Sequence, residues 1–315
     1  MNTVLVTGAA GFVGSHLCDL FISNGFRVIG FDNFVSGSLK NIEHLSCSDK
    51  FTFMNFDVTK EAKLNFRVDL ILHFASLASP VYYMNFPVET LLVNSIGTLN
   101  MIRLAKDNNA RFVFASTSEV YGDPLIHPQA EDYFGNVNPV GLRSVYDEGK
   151  RFAESLTMAY FRKYSLDTRI LRIFNTYGPR MRPDDGRVIP NFIVKALKNE
   201  DIEVYGDGSQ TRSFCYVDDL VQGIFGVAIE EGINGEIVNL GNPEEVGILD
   251  LANLTKETTN SKSRIISKEP VSDDPKRRCP DISRVRRLTG WEPKVSLRKG
   301  LARTVEYFKS KVKIT

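Results

Sequence analysis

Short apolar runs rich in β-branched residues alternate with longer amphipathic stretches over roughly the first 175 residues, the rhythm of repeated strand–helix–strand units on a parallel sheet. Val4 to Thr7, Arg27 to Phe31, Phe51 to Asn55, Leu70 to Phe74, Phe112 to Ala115 and Thr168 to Ile173 are predicted strands. Residues 12–24, 87–109 and 143–164 are predicted helices, with Pro87 in a first turn, where its missing N–H would be unpaired anyway. After Gly178-Pro179 the rhythm changes: Pro, Gly, Arg and Asp cluster from 179 to 187, and shorter elements follow in no regular order. A second, smaller lobe is expected to begin there. Phe214 to Ile229 and Glu236 to Leu240 again have the pattern of a helix and a strand, so the chain is expected to return to the first lobe before finishing in the second. This divides it into 1–177 plus about 212–241, and 178–211 plus about 242–315.

Charge narrows the partners. Basic and acidic side chains nearly cancel, to a formal net charge of +1, so no global field draws the protein onto nucleic acid or an anionic membrane, and neither partner is expected. Any anion must be held by a local site. Cys18, Cys47, Cys215 and Cys279 form no C-x-x-C pair and no His pair has metal-ligand spacing, so reduced thiols and no metal are expected. No apolar stretch approaches the roughly 20 residues of a spanning helix. The chain enters its first strand without a basic leader, and the expected location is cytoplasmic.

Directly after the first predicted strand comes Gly8-Ala9-Ala10-Gly11-Phe12-Val13-Gly14, followed by an amphipathic helix. Glycines at this spacing allow a tight turn, close approach of backbone N–H groups to a pyrophosphate, and tight packing of helix on strand, with the helix N-terminus facing the anion. The order strand, glycines, helix is the one the mechanism demands. The second strand runs into Asp32, 18 residues past Gly14, where a carboxylate accepts hydrogen bonds from ribose hydroxyls and repels a 2′-phosphate. No arginine directly follows it, which favours NAD over NADP. Asp57, after the third strand, has two readings: contact with the adenine edge, or a helix cap. The expected fold is therefore α/β, a Rossmann-type doubly wound parallel sheet with a smaller C-terminal α/β substrate-binding lobe.

Tyr146 and Lys150 lie four apart on one face of the third predicted helix. An ammonium beside a phenol favours the phenolate, which can then take a proton from a hydroxyl while hydride leaves the same carbon. The fifth strand runs into Ala115-Ser116-Thr117-Ser118-Glu119-Val120-Tyr121-Gly122, placing hydroxyls and a carboxylate at the carboxyl end of a parallel strand, where open α/β sheets bind ligands. The glycine pattern, S-T-S-E-V-Y-G and Y-x-x-x-K, in this order, resemble the extended short-chain dehydrogenases, which include sugar-nucleotide epimerases, 4,6-dehydratases and decarboxylases. Asn136 to Pro139, Tyr146 to Arg151, Arg172 to Met181, Asp184 to Val188, Tyr205 to Phe214 and Arg278 to Ile282 resemble the UDP-glucuronate decarboxylase branch over nearly the whole chain.

What the resemblance implies is an NAD-dependent lyase acting on a UDP-sugar. Tyr146, helped by Lys150 and Thr117, takes the C4 hydroxyl proton as NAD accepts the C4 hydride. The resulting ketone lies β to the C6 carboxylate, so carbon dioxide can leave as an enolate whose charge reaches the C4 oxygen. Ser118 and Glu119 complete the catalytic set, Glu119 handling a proton or positioning the carboxylate, with Arg278 pairing with the sugar acid. The cofactor set extends by resemblance to Phe12, Val13, Asn33, Phe34, Ser36, Gly37, Val58, Ala75 and Asn94. The substrate set comprises Ser79, Pro80, Tyr83, Asn175, Arg187, Val188, Tyr205, Gln210 and Arg212, with Arg212 and Gln210 on the phosphates and the Tyr205 ring on uracil. A homodimer through the second and third helices is also implied.

Plainer readings stand beside these: an ordinary salt bridge for Glu119, a solvated member of the run Lys276-Arg277-Arg278 for Arg278, and a core position for Tyr205. The chain departs from the branch in reading Phe74-Ala75-Ser76-Leu77 where alanine, cysteine and proline usually precede Ala78-Ser79-Pro80, and in Val145 where cysteine is common. A 4,6-dehydratase is expected to carry Asp at Ser118, and a 4-epimerase to lack the acid at Glu119. A non-catalytic NAD-binding sensor, which would typically lack the Tyr or the Lys, is the rival from another class.

Overall fold

The computed structural model describes residues 2–269 and 277–312; Lys276 of the basic run lies outside the described residues. Its centre is a sheet of seven parallel strands: β1 (Thr3–Thr7), β2 (Arg27–Asp32), β3 (Phe51–Asn55), β4 (Leu70–His73), β5 (Arg111–Thr117), β6 (Thr168–Ile173) and, from late in the chain, the strand Ile237–Leu240. Their order is Ile237–Leu240, β6, β5, β4, β1, β2, β3. Every residue of β5 is buried, as expected of a parallel strand covered on both faces. Successive side chains point to opposite faces, so Val4 and Val6 pack with Leu17 and Phe21, while Leu5 packs with Met101, Ile102 and Ala105.

The first of those faces is covered by α1 (Phe12–Ser23), and the second by a helical run that the apolar spacing predicted as one helix over 87–109. A separate short helix α2 (Pro80–Asn85) precedes it, and the predicted helix runs without interruption as α3 (Pro87–Leu92), a π-helical turn Val93–Gly97 and α4 (Thr98–Asn108). Pro87 occupies a first turn, as its chemistry requires. α5 (Ser144–Tyr164) packs on α3 and β5. β5 runs two residues past its predicted end, because Ser116 and Thr117 keep register with Arg172 and Ile173 of β6. β4 stops at His73, one residue short.

α6 (Val188–Leu197) follows the Pro/Gly/Arg/Asp cluster, and α7 (Val217–Ile229) packs against α1 before Ile237–Leu240 pairs with β6. A three-stranded sheet then brings distant segments together. Its central strand, Thr211–Ser213, pairs antiparallel with Glu245–Gly247 and parallel with Arg277–Arg278, which sets Arg212 beside Arg278. β1 has β2 on one side and β4 on the other, and the chain winds outward in both directions from it. The crevice at the carboxyl ends of these strands is where such sheets bind ligands. Among the described residues, no helix is long and apolar enough to cross a membrane.

Candidate active site

A cavity of ≈ 1120 Å³ opens at those carboxyl ends. That exceeds a typical single-ligand pocket and suits two ligands side by side. One end is floored by the glycine turn. Gly8 sits at φ +73°, and a Cβ there would meet the Phe74 carbonyl and the Ala75 nitrogen at 3.0 Å. A Cβ on Gly14 would land 2.0 Å from the Gly8 oxygen, so only glycine lets α1 press onto β1. No side chain caps α1, whose first N–H groups at Phe12, Val13 and Gly14 border the cavity. This is a cradle for a pyrophosphate.

Asp32 closes the same end. Its Oδ2 accepts from Ala10 N (2.9 Å) and its Oδ1 from Phe34 N (2.8 Å), while burial raises its carboxyl and these bonds oppose the rise. Asn33, Ser36, Val58 and Ala75 line the cavity beside it. Phe34, Gly37 and Asn94 stand behind the wall instead. Phe34 packs on Phe53, Gly37 abuts the Asp32 carboxylate, and Asn94, in the π turn, accepts from Ser76 Oγ at 3.1 Å and donates to Thr90 O at 2.9 Å. Asp57 lines the cavity but caps no helix. Its Oδ1 accepts from the N–H and hydroxyl of Thr59 in a local turn. A cavity of this depth, with an uncapped helix start over glycine and a carboxylate at the ribose position, fits NAD.

Deeper in, the Tyr146 phenol is buried beneath Tyr83, the two rings stacked at 5.4 Å and 9°. Lys150 Nζ donates to Ala115 O at 2.8 Å and lies 5.7 Å from the Tyr146 ring centre. The expected lowering of the phenol by this ammonium is not what the protein alone produces. Burial, then the Glu119 charge, push Tyr146 up, opposed by a hydrogen bond with Thr117. Burial also pulls Lys150 down to about 7. An acidified phenol therefore needs a further positive charge brought by a ligand.

Thr117 ends β5, and its hydroxyl accepts from Glu119 N at 3.2 Å, opening a 3-10 turn over Ser118–Tyr121. That turn aims Glu119 into the cavity between two arginines. Arg143 Nη2 donates to Oε2 at 2.6 Å and Arg278 Nη1 donates to Oε1. The salt-bridge reading of Glu119 is thus structurally true, and it is a site salt bridge. Burial would raise Glu119, but Arg278 and then Arg143 hold it at about 2. Arg278 is only 4% exposed, so the solvated reading of that residue is wrong; its strand is pinned to Thr211–Ser213.

The cavity is also lined by Ser79, Pro80, Asn175, Arg187, Val188, Tyr205, Gln210 and Arg212. Arg187 donates bidentately to Asp185 at the start of α6, whose N-terminus has no side-chain cap. Gln210 Nε2 donates to Tyr205 O at 2.7 Å, and Arg212 Nη1 donates to Thr211 O at 2.8 Å. Tyr205 is 47% exposed, which rules out the core reading and leaves its ring free to stack. The hydroxyl oxygen of Ser79 is buried without a hydrogen-bond partner at the cavity wall.

The sequence model of the NAD dependent epimerase/dehydratase family matches residues 4–241. The chain belongs to this family. Its segment holds the glycine turn, Asp32, Thr117, Glu119, Tyr146 and Lys150; Arg278 lies beyond it. The chain is 52% identical over 309 residues to UDP-glucuronic acid decarboxylase 2 of Arabidopsis thaliana, covering 98% of this chain and 68% of that protein. It is 51% identical over 305 residues to UDP-glucuronic acid decarboxylase 1 of Danio rerio, covering 97% and 72%. Among solved structures, UDP-glucuronic acid 4-epimerase from Bacillus cereus in complex with UDP-glucuronic acid and NAD superposes with a TM-score of 0.88 at 29% identity, covering 98% of this chain and 99% of that one.

Sequence reasoning missed Arg143. It stood only as the first residue of the predicted helix 143–164, although its place one turn before Tyr146 was the available signal. The neighbouring Asp147 does not line the cavity, but burial and the Glu119 charge push its carboxyl up. Outside the cavity, His127, Glu245 and Cys279 bring ligand-type atoms within 4.8 Å of one another, at separations no spacing rule covers. Arg277 already hydrogen-bonds both His127 and Glu245 there.

Proposed function

We propose that the protein is an NAD-dependent carboxy-lyase that converts UDP-glucuronate to UDP-xylose through a UDP-4-keto sugar. The observation that carries this reading is the arginine-flanked Glu119 beside the Tyr146 phenol: a cationic recess for an acid group next to a base for a hydroxyl. Relatives about half identical over almost the whole chain support it. Residues 1–177 with about 212–241 would hold the cofactor, Asp32 taking the ribose and the start of α1 the pyrophosphate. Residues 178–211 with about 242–315 would hold the nucleotide sugar, with Tyr205 against uracil and Arg187, Arg212 and Gln210 near the phosphates.

When bound, NAD supplies a nicotinamide carbon that takes hydride from the sugar C4 and gives it back at the end of the cycle. The protein's own part is proton handling and charge placement. Tyr146 takes the C4 hydroxyl proton, with Lys150 behind it and Thr117 beside it. Once C4 is a ketone, the C5–C6 bond can break with its electron pair spreading to the C4 oxygen, where the Tyr146 and Thr117 hydroxyls can donate hydrogen bonds. Ser118 and Glu119, on the turn that follows Thr117, would govern reprotonation at C5. Net redox change over the cycle is zero.

The assembly we propose is a homodimer in the cytoplasm. Support for the dimer is an exposed apolar face on α3 and α5, including Val88, Leu91 and Phe152. Support for the location is four unpaired cysteines, three of them buried. The chemistry is tested by separate incubation with UDP-glucuronate, UDP-glucose and UDP-galactose and mass analysis of the products. Loss of carbon dioxide from the first alone is expected. Interconversion of the neutral sugars, or an epimerised acid sugar of unchanged mass, would replace this reading with a 4-epimerase.

A further inference from the structure

Glu119 is gripped by residues from distant parts of the chain. Arg143 directly precedes α5, and Arg278 lies on the edge strand of the three-stranded sheet, yet each holds one oxygen of the same carboxylate. One carboxylate facing two guanidiniums leaves a positive surplus. Burial and the Glu119 charge push the Asp147 carboxyl up, which weakens its offset of this surplus.

Donors are in surplus as well. Each guanidinium carries five N–H groups, and Glu119 uses one from each. Arg278 Nε is buried with no hydrogen-bond partner, on a residue that lines the cavity. Arg278 Nη2 makes only a long hydrogen bond, to Gly122 O at 3.4 Å, so the guanidinium is incompletely satisfied by the protein, and a second carboxylate could share its Nη donors.

The cluster also lies where a sugar acid would fall. Tyr83 stacks on Tyr146 and feels the charges of Arg143, Glu119 and Arg278. In a uronic acid the carboxylate hangs from C5, the direct neighbour of the carbon whose hydroxyl meets Tyr146, so the two groups must be served by adjoining residues.

We infer that Arg143 is a specificity-determining residue: together with Arg278 it forms a two-guanidinium clamp for the sugar carboxylate, and Glu119 occupies that clamp until the carboxylate arrives. This rests on the acid-sugar reading above. With both arginines present, the incoming carboxylate meets a net cation and shares N–H donors with Glu119. As Glu119 gives up part of its cationic shell, the balance that holds its carboxyl far below the ordinary range shifts back toward burial, and it becomes able to hold a proton beside C5. Without Arg143, Glu119 and Arg278 form a neutral one-to-one pair, and the acid sugar meets no spare cation.

The test uses the NAD-loaded protein in a Tyr146→Phe background, so that UDP-glucuronate persists, and measures equilibrium binding of UDP, UDP-glucose and UDP-glucuronate. The parent is expected to prefer UDP-glucuronate over UDP-glucose. Arg143→Gln should cut that preference about tenfold or more, the scale of one charge-assisted contact, while UDP affinity stays within about twofold. Arg143→Lys, which keeps a cation, should recover most of the preference. An undiminished preference in Arg143→Gln overturns the clamp alone. So does an equal loss for UDP and UDP-glucuronate, or an Arg143→Lys no better than Arg143→Gln. A parent with no preference for the acid sugar overturns the acid-sugar reading itself.

Discussion

His73 ends β4 with its ring between two threonine hydroxyls, Thr7 on Nδ1 (2.8 Å) and Thr98 on Nε2 (3.2 Å). Thr7 Oγ1 also accepts from Phe74 N and Ala75 N, so its own proton goes to Nδ1 and the ring proton sits on Nε2. This neutral ring fixes the Phe74-Ala75 backbone against which Gly8 is pressed, and so holds the floor of the cofactor cradle. Burial, then the Lys150 charge, lower the imidazole to about 3. Because the folded value lies below the unfolded 6.5, the neutral ring's contribution to stability is complete above pH 6.5 and is lost as pH falls toward 3. The full loss is about 4–5 kcal/mol, of which roughly 2 falls between pH 6.5 and 4.5. Urea unfolding at pH 7.5 and 4.5 should show the wild type losing about 2 kcal/mol more than His73→Asn, whose amide oxygen can still accept from Thr7. Equal losses would refute the assignment. None of this was visible in Leu70 to Phe74 as a string, where His73 is one polar residue in an apolar run and its partners are 66 and 25 residues away.

β5, β6 and α5 are locked by one buried carboxylate. Glu154 accepts from Ser116 Oγ at 2.6 Å and takes Arg172 bidentately at 2.9 and 2.8 Å. This fixes the face of α5 that carries Tyr146 and Lys150 relative to the strand that carries Thr117. Breaking a buried pair leaves an uncompensated charge, so Glu154→Ala should lower unfolding free energy by about 3–5 kcal/mol and reduce turnover at temperatures where the protein remains folded. A loss below about 1 kcal/mol would mean that the pair is not holding these elements. The same pair explains why β5 was read two residues short: Ser116 and Thr117 are polar, and apolar alternation cannot report burial that is compensated from other elements. The π turn inside the helix over 87–108 was hidden for the opposite reason. Apolar spacing continues through Val93–Gly97, although a π turn there swings Asn94 inward toward Ser76. What local pattern could carry, namely the glycine turn, Asp32 and the Tyr146–Lys150 pair, was legible because each depends on neighbours within one turn or one strand–helix unit. Arg143, Arg278 and Glu119 form a site only through contacts 24 and 159 residues apart, and there the family resemblance supplied Arg278 and Glu119 but not Arg143.

At the scale of the whole molecule, two features bear on function. Val88, Leu91 and Phe152 expose 60, 41 and 52% of their surface on the packed pair α3 and α5, an apolar face on the helix that carries the candidate base. If this face joins two copies, light scattering should give twice the chain mass for the wild type and the chain mass for Phe152→Glu; a monomeric wild type would refute the dimer. The second feature is the cavity, which places a cradle for a dinucleotide, a buried phenol and a cationic recess in one continuous space. The central claim is that a hydrogen leaves C4 and returns to it, with carbon dioxide lost in between. UDP-glucuronate deuterated at C4 tests this most directly. The wild type should release carbon dioxide and give UDP-xylose that retains the deuterium at C4, with no net accumulation of reduced cofactor, and Tyr146→Phe should bind NAD but give no product. Carbon dioxide release with the deuterium lost to water, or UDP-glucuronate recovered intact from the wild type, would contradict it.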